Sequence, residues 1–240
     1  ETQNHLVLLA ETNEGYHNLI KLVSAGYTEG FYYKPRIDKD LLAQHSKGLI
    51  GLSSCMKGEV AEGLWHRQER KALEAAGAYR DILGPGNFFL EMQWHGIEEQ
   101  KLVNGGIPAI ARDLGLPIIC TNDVHYLREA DAHPHDVLLC IGTGKAFSDP
   151  KRLRYDAKQF FLKTAGEMAE VFKDVPDALA NTVRVAERCN VVIAKGENHL
   201  PNFDVPPGYT LDDYFEHVVR AGFVERLPRL QQLAAAGTLR

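Results

Sequence analysis

An α/β fold is predicted for this 240-residue chain, and three observations carry the prediction. Short apolar runs at 5–10 (HLVLLA), 49–53 (LIGLS), 88–94 and 118–121 have strand length. Helical patterns lie between them, and turn signals punctuate the junctions, most clearly Gly84-Pro85-Gly86. Strands that alternate with helices imply parallel pairing through right-handed crossovers, in an α/β barrel or a doubly wound sheet.

The elements follow in order. The run at 5–10 opens the chain as a strand, and 13–26 follows as a helix with Leu19, Ile20, Leu22 and Val23 on its apolar stripe. Asp38 is placed to cap a short helix, because its carboxylate can take a free amide of the first turn. After the strand at 49–53, residues 58–83 read as one helix, stopped by Gly84-Pro85-Gly86. In 88–94, Phe88, Leu90, Met92 and Trp94 alternate with Phe89, Glu91 and Gln93, the period of a strand. Residues 97–114 carry a helix pattern, although Gly105 and Gly106 should each cost roughly 1 kcal/mol relative to alanine. The strand at 118–121 leads to a helix at 128–141, whose Val137, Leu138, Leu139 and Ile141 are predicted to face inward.

Beyond residue 142 the texture changes. Residues 145–163 are basic and loop-like; Thr164 caps a helix at 165–172, and Pro176 begins another that runs to about Cys189. Pro201, Pro206, Pro207 and Gly208 read as a linker, with Thr210 capping an amphipathic helix at 211–227. The expected division is 1–198 and 199–240, the second part being the start of another domain.

A hydrophobic content of 45% supports a substantial core, and a net charge of −5 argues against nucleic-acid binding through the overall field. A local basic patch stays compatible with that charge. The cysteines Cys55, Cys120, Cys140 and Cys189 are scattered without a CxxC pair, which points to a reducing compartment. No apolar run approaches the roughly 20 residues that span a bilayer, and the first residues do not form a secretory leader. A cytoplasmic location without a membrane partner is expected. The missing initiator methionine suggests a trimmed chain.

The candidate chemistry sits at strand ends. Pro117 to Tyr126 is an apolar run that ends in Asp123 and His125; with an extended backbone, side chains two residues apart share a face at the strand's carboxyl end. The alternative is that Asn122 and Asp123 form a turn or helix cap, with His125 a bystander. His5, Cys55 and His95 stand at other strand ends, and His, Cys and Asp are the donors that suit zinc and similar ions. Each has a bland reading as well: an exposed start, a small buried hydrophobe, a loop residue. A cysteine nucleophile with a histidine base ranks lower, because Ser53-Ser54-Cys55 has no glycine elbow before it. Lys34 and Arg36, among Phe31, Tyr32 and Tyr33, could hold phosphate or stack on a base, and Arg152 and Arg154 in the basic stretch could meet a phosphate backbone. The alternative for the first is a loop whose aromatics pack on the domain, and for the second a solvated loop, the more frequent outcome for such runs. Gly142-Thr143-Gly144-Lys145 is rejected as a phosphate loop, since Ala146 stands where Ser or Thr is needed. His133-Pro134-His135 is a weak metal signal at a helix start.

Taken together, HLVLLA at 5, NEGYHNLIKL at 13, EGFYYKPRID at 29, GLIGLSSC at 48, FFLEMQWHGIEEQ at 88, TNDVHYL at 121, DVLLCIGTGK at 136, QFFLKTAGEM at 159 and LPNFDVPPG at 200 carry a family resemblance. Over nearly its whole length the chain resembles the polymerase-and-histidinol-phosphatase (PHP) domain of bacterial replicative DNA polymerase III alpha subunits. The resemblance implies a distorted barrel of seven β/α units holding up to three zinc, manganese or iron ions. His5, Cys55, Asp123 and His125 fall at its ligand positions, Asp123 and His125 being also the implied catalytic pair, with His95 and Glu91 beside the cluster. Ser54 and Trp94 depart from the family's usual glycine and small polar residue. Further ligands, a histidine motif, an Asp-His pair and a glutamate, would lie upstream of His5, so the chain is expected to be a fragment. Implied functions are metal-dependent phosphodiester hydrolysis with 3′→5′ proofreading, or a scaffold without metal that docks the proofreading exonuclease. The parent would extend DNA with other replicase subunits, using magnesium at carboxylates downstream of Arg240. A free-standing PHP phosphatase, for example on histidinol phosphate, fits the barrel but not EGFYYKPRID or LPNFDVPPG.

Overall fold

The computed structural model describes residues 3–155, 157–196, 198 and 200–238. The chain divides into two units, Glu1–Val192 and Ile193–Arg240. The first is α/β: a four-stranded sheet in the order β1 (Val7–Ala10), β2 (Leu49–Leu52), β3 (Phe88–Gln93), β4 (Ile118–Thr121). The β2–β3 and β3–β4 pairs are parallel as expected. The first pair departs from expectation, for β1 runs antiparallel to β2, with Val7 opposite Leu52 and Ala10 opposite Leu49.

The reason lies in the connection. Helix α1 (Asn13–Thr28) carries the chain back along the sheet and α2 (Lys39–Gln44) helps return it, so β2 begins beside the end of β1. Thr12 caps α1 by accepting the Gly15 amide, and Asp38 caps α2 by accepting that of Leu41 at 2.8 Å. Glu11 donates its amide to the Gly48 carbonyl at 2.9 Å and closes this corner. The buried positions of α1 are Gly15, Leu22 and Gly26, whereas Ile20 and Val23 of the predicted stripe are exposed. The helix approaches its neighbours through glycines, which a hydrophobicity count misses.

The single helix predicted at 58–83 is two, α3 (Glu59–Trp65) and α4 (Glu69–Leu83). Arg67 takes a positive φ of 55° between them. A β-carbon on Gly63 would sit 3.0 Å from that of Ala72, so the two helices cross closely at small residues. Helix α5 (Glu98–Leu114) ends on Gly115 in the left-handed conformation. Of its glycine pair, Gly106 packs on Leu64 while Gly105 has open space.

Both sheet faces are covered. Leu49, Phe88, Leu90, Met92 and Cys120 pack with Val60, Leu64, Ala72, Val103 and Ile107, whereas Ile50, Leu52, Phe89 and Ile119 meet Val185 of α8 (Pro176–Arg188). Burial pushes the Cys120 thiol up to about 12, the behaviour of an inert core residue. Asn181 of α8 donates to the Ile118 carbonyl at 2.7 Å, and Arg188 bonds Glu11, the Gly86 carbonyl and Asn87, tying α8 to two strand ends.

After β4, a short 3-10 turn (Glu129–Asp131) precedes α6 (Ala132–Thr143), and α7 (Ala165–Val171) begins at a capping box of Thr164 and Glu167. The inward face predicted for α6 is corrected: Val137, Leu138 and Ile141 are exposed, and Cys140 is its buried residue. A periodic stripe establishes a face, not what covers it. The second unit contains α9 (Leu211–Ala235), capped by Thr210 and longer than predicted because it continues through Pro228. It has no buried residue among those described. No described helix is long and apolar enough to cross a membrane.

Candidate metal centre

The parallel strands β2, β3 and β4 end at one edge of the sheet, and the antiparallel β1 begins there. That topology brings His5 to the edge where Cys55, His95 and the 122–125 loop emerge. His5 donates its amide to the Lys57 carbonyl at 2.9 Å and bridges to Gly58, outside β1 proper. Its Nδ1 lies 3.5 Å from Cys55 Sγ, so two residues predicted as ligands meet as a pair.

The turn that presents Cys55 is held from below. Ser54 has a positive φ of 68°, and its amide donates to Glu91 Oε2 at 2.9 Å. Ser53 Oγ accepts the Glu91 amide at 2.8 Å. Gln93 Nε2 donates to Glu91 Oε1 at 2.9 Å, and Thr121 Oγ1 also donates to that carboxylate. Burial raises the Glu91 acid above its ordinary value despite these donors, and the nearby Asp123 charge adds to the rise. Gln93 Oε1 is buried with no partner among the described residues. Because a left-handed Ser54 is strained, Ser54→Gly is expected to raise stability by about 0.5–1 kcal/mol. The check is a higher urea midpoint at unchanged m; a lower midpoint would show that the serine fits its turn without strain.

The expectation for Asp123 and His125 needs correction in its geometry. The strand stops at Thr121, and Asp123 has a positive φ of 44°, so the two side chains do not leave an extended backbone. A non-glycine residue in this region costs on the order of 1–3 kcal/mol and persists where its surroundings over-determine it. His125 Nδ1 donates to the Asp123 carbonyl at 2.7 Å, which leaves Nε2 as the acceptor, 3.3 Å from the Tyr155 hydroxyl. His125 also donates its amide to the Phe160 carbonyl at 2.8 Å, and its ring lies 5.9 Å from that of His135.

His95 is 1% exposed and stacks on Phe160 with ring centroids 4.2 Å apart. Burial lowers its pKa, while the Asn122 carbonyl and the Asp123 charge oppose that shift. Gln100, 3% exposed, bonds both its amide and its ring. Lys163, also buried, reaches Asn122 Oδ1 at 3.1 Å. Sequence reading missed Gln100 and Tyr155, and it took Lys163 for a phosphate contact in the basic stretch rather than a partner of Asn122. Only Gln100 left a signal, as a polar residue on the stripe that continues through Val103, Ile107 and Ile110.

The cationic candidates separate. Lys34 and Arg36 line a cleft of about 630 Å³ with Lys39, Lys57 and His5. Arg152 forms a two-pronged ion pair with Asp136 and lies over Phe147, so it anchors the 144–155 loop; Arg154 is exposed. The donor chemistry of both pairs suits a divalent ion, and the His125 arrangement is the one metal-bound imidazoles use. The count falls short: among the described residues no three His, Cys, Asp or Glu side chains converge on one point.

Comparison with known proteins identifies the lineage. Residues 1–95 match the PHP domain family. The chain is 44% identical over 92% of its length to the DNA polymerase III subunit alpha of Treponema pallidum, of which that interval is 19%. It is 41% identical to the Borreliella burgdorferi subunit over 94% of this chain and 20% of that protein, and 40% identical to the Mycobacterium tuberculosis subunit over 93% and 19%. The chain thus spans about a fifth of the length of these curated relatives. It is a PHP-domain segment belonging to the DNA polymerase III alpha subunit family.

Proposed function

We propose that this chain is the part of a bacterial, cytoplasmic replicative DNA polymerase that holds one side of a divalent-metal centre, with His5 and Cys55 as one donor pair and Asp123 and His125 as another. The observation that carries the proposal is the 3.5 Å between Cys55 Sγ and His5 Nδ1. A tetrahedral zinc with bonds of roughly 2.3 Å to sulfur and 2.0–2.1 Å to nitrogen sets those donors about 3.5 Å apart. Supporting it, His125 donates from Nδ1 to a backbone carbonyl and keeps the Nε2 lone pair as an acceptor, which faces the Tyr155 hydroxyl at 3.3 Å. Metal bound there would supply a Lewis acid and an activated water for phosphodiester hydrolysis. This chain's own residues orient the donors and set the charge beside them; the remaining ligands come from outside the described set. The seven-unit barrel belongs to the same proposal, for β1 and β4 each pair with one strand in the described sheet and leave an edge at which further strands would join. DNA, the proofreading exonuclease and other replicase subunits are the proposed partners of the whole polymerase, which would use magnesium at carboxylates outside this chain.

The test is cobalt(II) or zinc binding by the full-length polymerase subunit. Wild type is expected to bind metal and, with cobalt, to show a thiolate charge-transfer band. Cys55→Ser should abolish the band and weaken binding by more than the roughly 10- to 100-fold that outer-shell partners control. The family resemblance also implies a second reading, a scaffold that docks the exonuclease without metal. Wild type with near-zero metal after chelator-free purification would decide for that scaffold.

A further inference from the structure

We infer that Gln100 is a positioning residue for this centre: it selects the tautomer of His95, whose Nε2–H holds the Asn122 carbonyl and with it the left-handed turn at Asp123. The inference rests on the reading of Asp123 as a metal donor.

The hydrogen bonds leave one consistent arrangement. The His95 backbone amide can only donate, and it meets Gln100 Oε1 at 2.8 Å, so the Gln100 NH2 faces the ring. That NH2 lies 2.8 Å from His95 Nδ1, which must therefore accept. The proton of the neutral imidazole is left on Nε2, and Nε2 lies 2.8 Å from the Asn122 carbonyl, a group that can only accept. The other tautomer would place two donors face to face at Gln100 and two acceptors face to face at Asn122, in a site 1% exposed for the ring. Stacking on Phe160, with an interplanar angle of 10°, opposes rotation of the ring away from this arrangement.

Asn122 is then held at three points: its carbonyl by His95, its Nδ2 by the Phe161 carbonyl, and its Oδ1 by Lys163. The next residue is Asp123, whose positive φ needs such over-determination. His125 donates to the Asp123 carbonyl and completes the series from helix α5 to the donor pair. A buried glutamine that bonds only one histidine, through both backbone and ring, is spent on that histidine's orientation.

The experiment is cobalt(II) affinity of the full-length polymerase subunit by chelator competition, with melting temperature as control. Gln100→Glu keeps the shape and the acceptor for the His95 amide, but its carboxylate cannot donate to Nδ1. It is expected to weaken cobalt binding roughly 10- to 100-fold and to change the visible cobalt spectrum. His95→Gln keeps a side-chain NH2 for the Asn122 carbonyl without needing a tautomer, and should stay within a few-fold of wild type. In that background Gln100→Glu should add little. Equal losses from Gln100→Glu in both backgrounds, or wild-type affinity in the single variant, would overturn the inference. Should Gln100→Glu not fold, Gln100→Met supports the same comparison and is read by the same outcomes. Failure of the metal reading is seen separately: Asp123→Asn would then leave cobalt uptake unchanged, whereas failure of positioning alone leaves Asp123→Asn deficient and Gln100→Glu intact.

Discussion

Gly15→Ala is expected to lower stability by roughly 3 kcal/mol, the upper end of what overpacking ordinarily costs. A β-carbon at Gly15 would lie 1.8 Å from the Gly48 carbonyl oxygen, a backbone atom that cannot swing aside as a side chain can. Gly48 is itself held at a positive φ of 72°, with Thr12 and the Gly15 backbone against it. The corner where α1 leaves β1 and β2 begins would have to open, and the register of Ala10 on Leu49 depends on that corner. Because the same register carries His5 to Cys55, the variant should also separate that donor pair. Gly77→Ala in α4 is the matched control: its β-carbon meets nothing within 4 Å, so it should raise stability by about 0.5–1 kcal/mol through helix propensity. Chemical denaturation of both variants decides the matter. A Gly15→Ala protein as stable as wild type would mean that the α1–β2 contact is slack.

The contrast between those glycines marks how far the sequence could be read. Caps and strand cores were legible because their signals are local: Asp38 and Thr164 bond amides three residues on, and the run at Ile118–Thr121 is the strand expected. Long-range packing was not. Nothing near residues 66–68 announces that Gly63 must meet Ala72, so the break between α3 and α4 went unseen. The antiparallel β1 was hidden for the same reason, although it is what sets His5 beside the ends of the parallel strands. For the site, Cys55 and His5 could be named as donors by residue type, but their proximity follows from register. Asp123 and His125 were read either as neighbours on an extended backbone or beside a turn at Asn122 and Asp123; a left-handed turn forms, next to an Asn122 held by hydrogen bonds to His95, Phe161 and Lys163 that no local pattern announces. The Phe88–Trp94 alternation was visible, yet it hid that Glu91 and Gln93 are buried, because a polar strand face ordinarily signals solvent.

Glu91→Ala is expected to destabilise the protein by roughly 3 kcal/mol or more, because it strands the Ser54 amide and the Thr121 hydroxyl and takes one of two acceptors from the Gln93 NH2, which keeps Thr121 Oγ1. The Ser54 amide, the Gln93 NH2 and the Thr121 hydroxyl all converge on this one carboxyl group, and each buried donor left without a partner costs on the order of 1–3 kcal/mol. The loop that carries Cys55 would lose the bond at Ser54, so disorder should spread to the His5–Cys55 pair before it reaches β4. Titration gives an independent reading of the same group. Burial raises the Glu91 acid in the folded state above 4.5, so the folded protein binds a proton that the unfolded chain has already released. Between those two pKa values the folded state holds more protons, and linkage then makes stability fall as pH rises. The contribution is fully present below pH 4.5 and is lost as pH climbs through the raised folded value. Glu91→Gln stays neutral throughout and keeps one acceptor, so it should remove that slope while retaining most of the stability lost in Glu91→Ala. Denaturation midpoints measured for wild type and Glu91→Gln across the acidic range test this directly. Identical pH slopes in the two proteins would show that the donors to Glu91 cancel the effect of its burial, and wild-type stability that rises with pH relative to Glu91→Gln would show that they outweigh it.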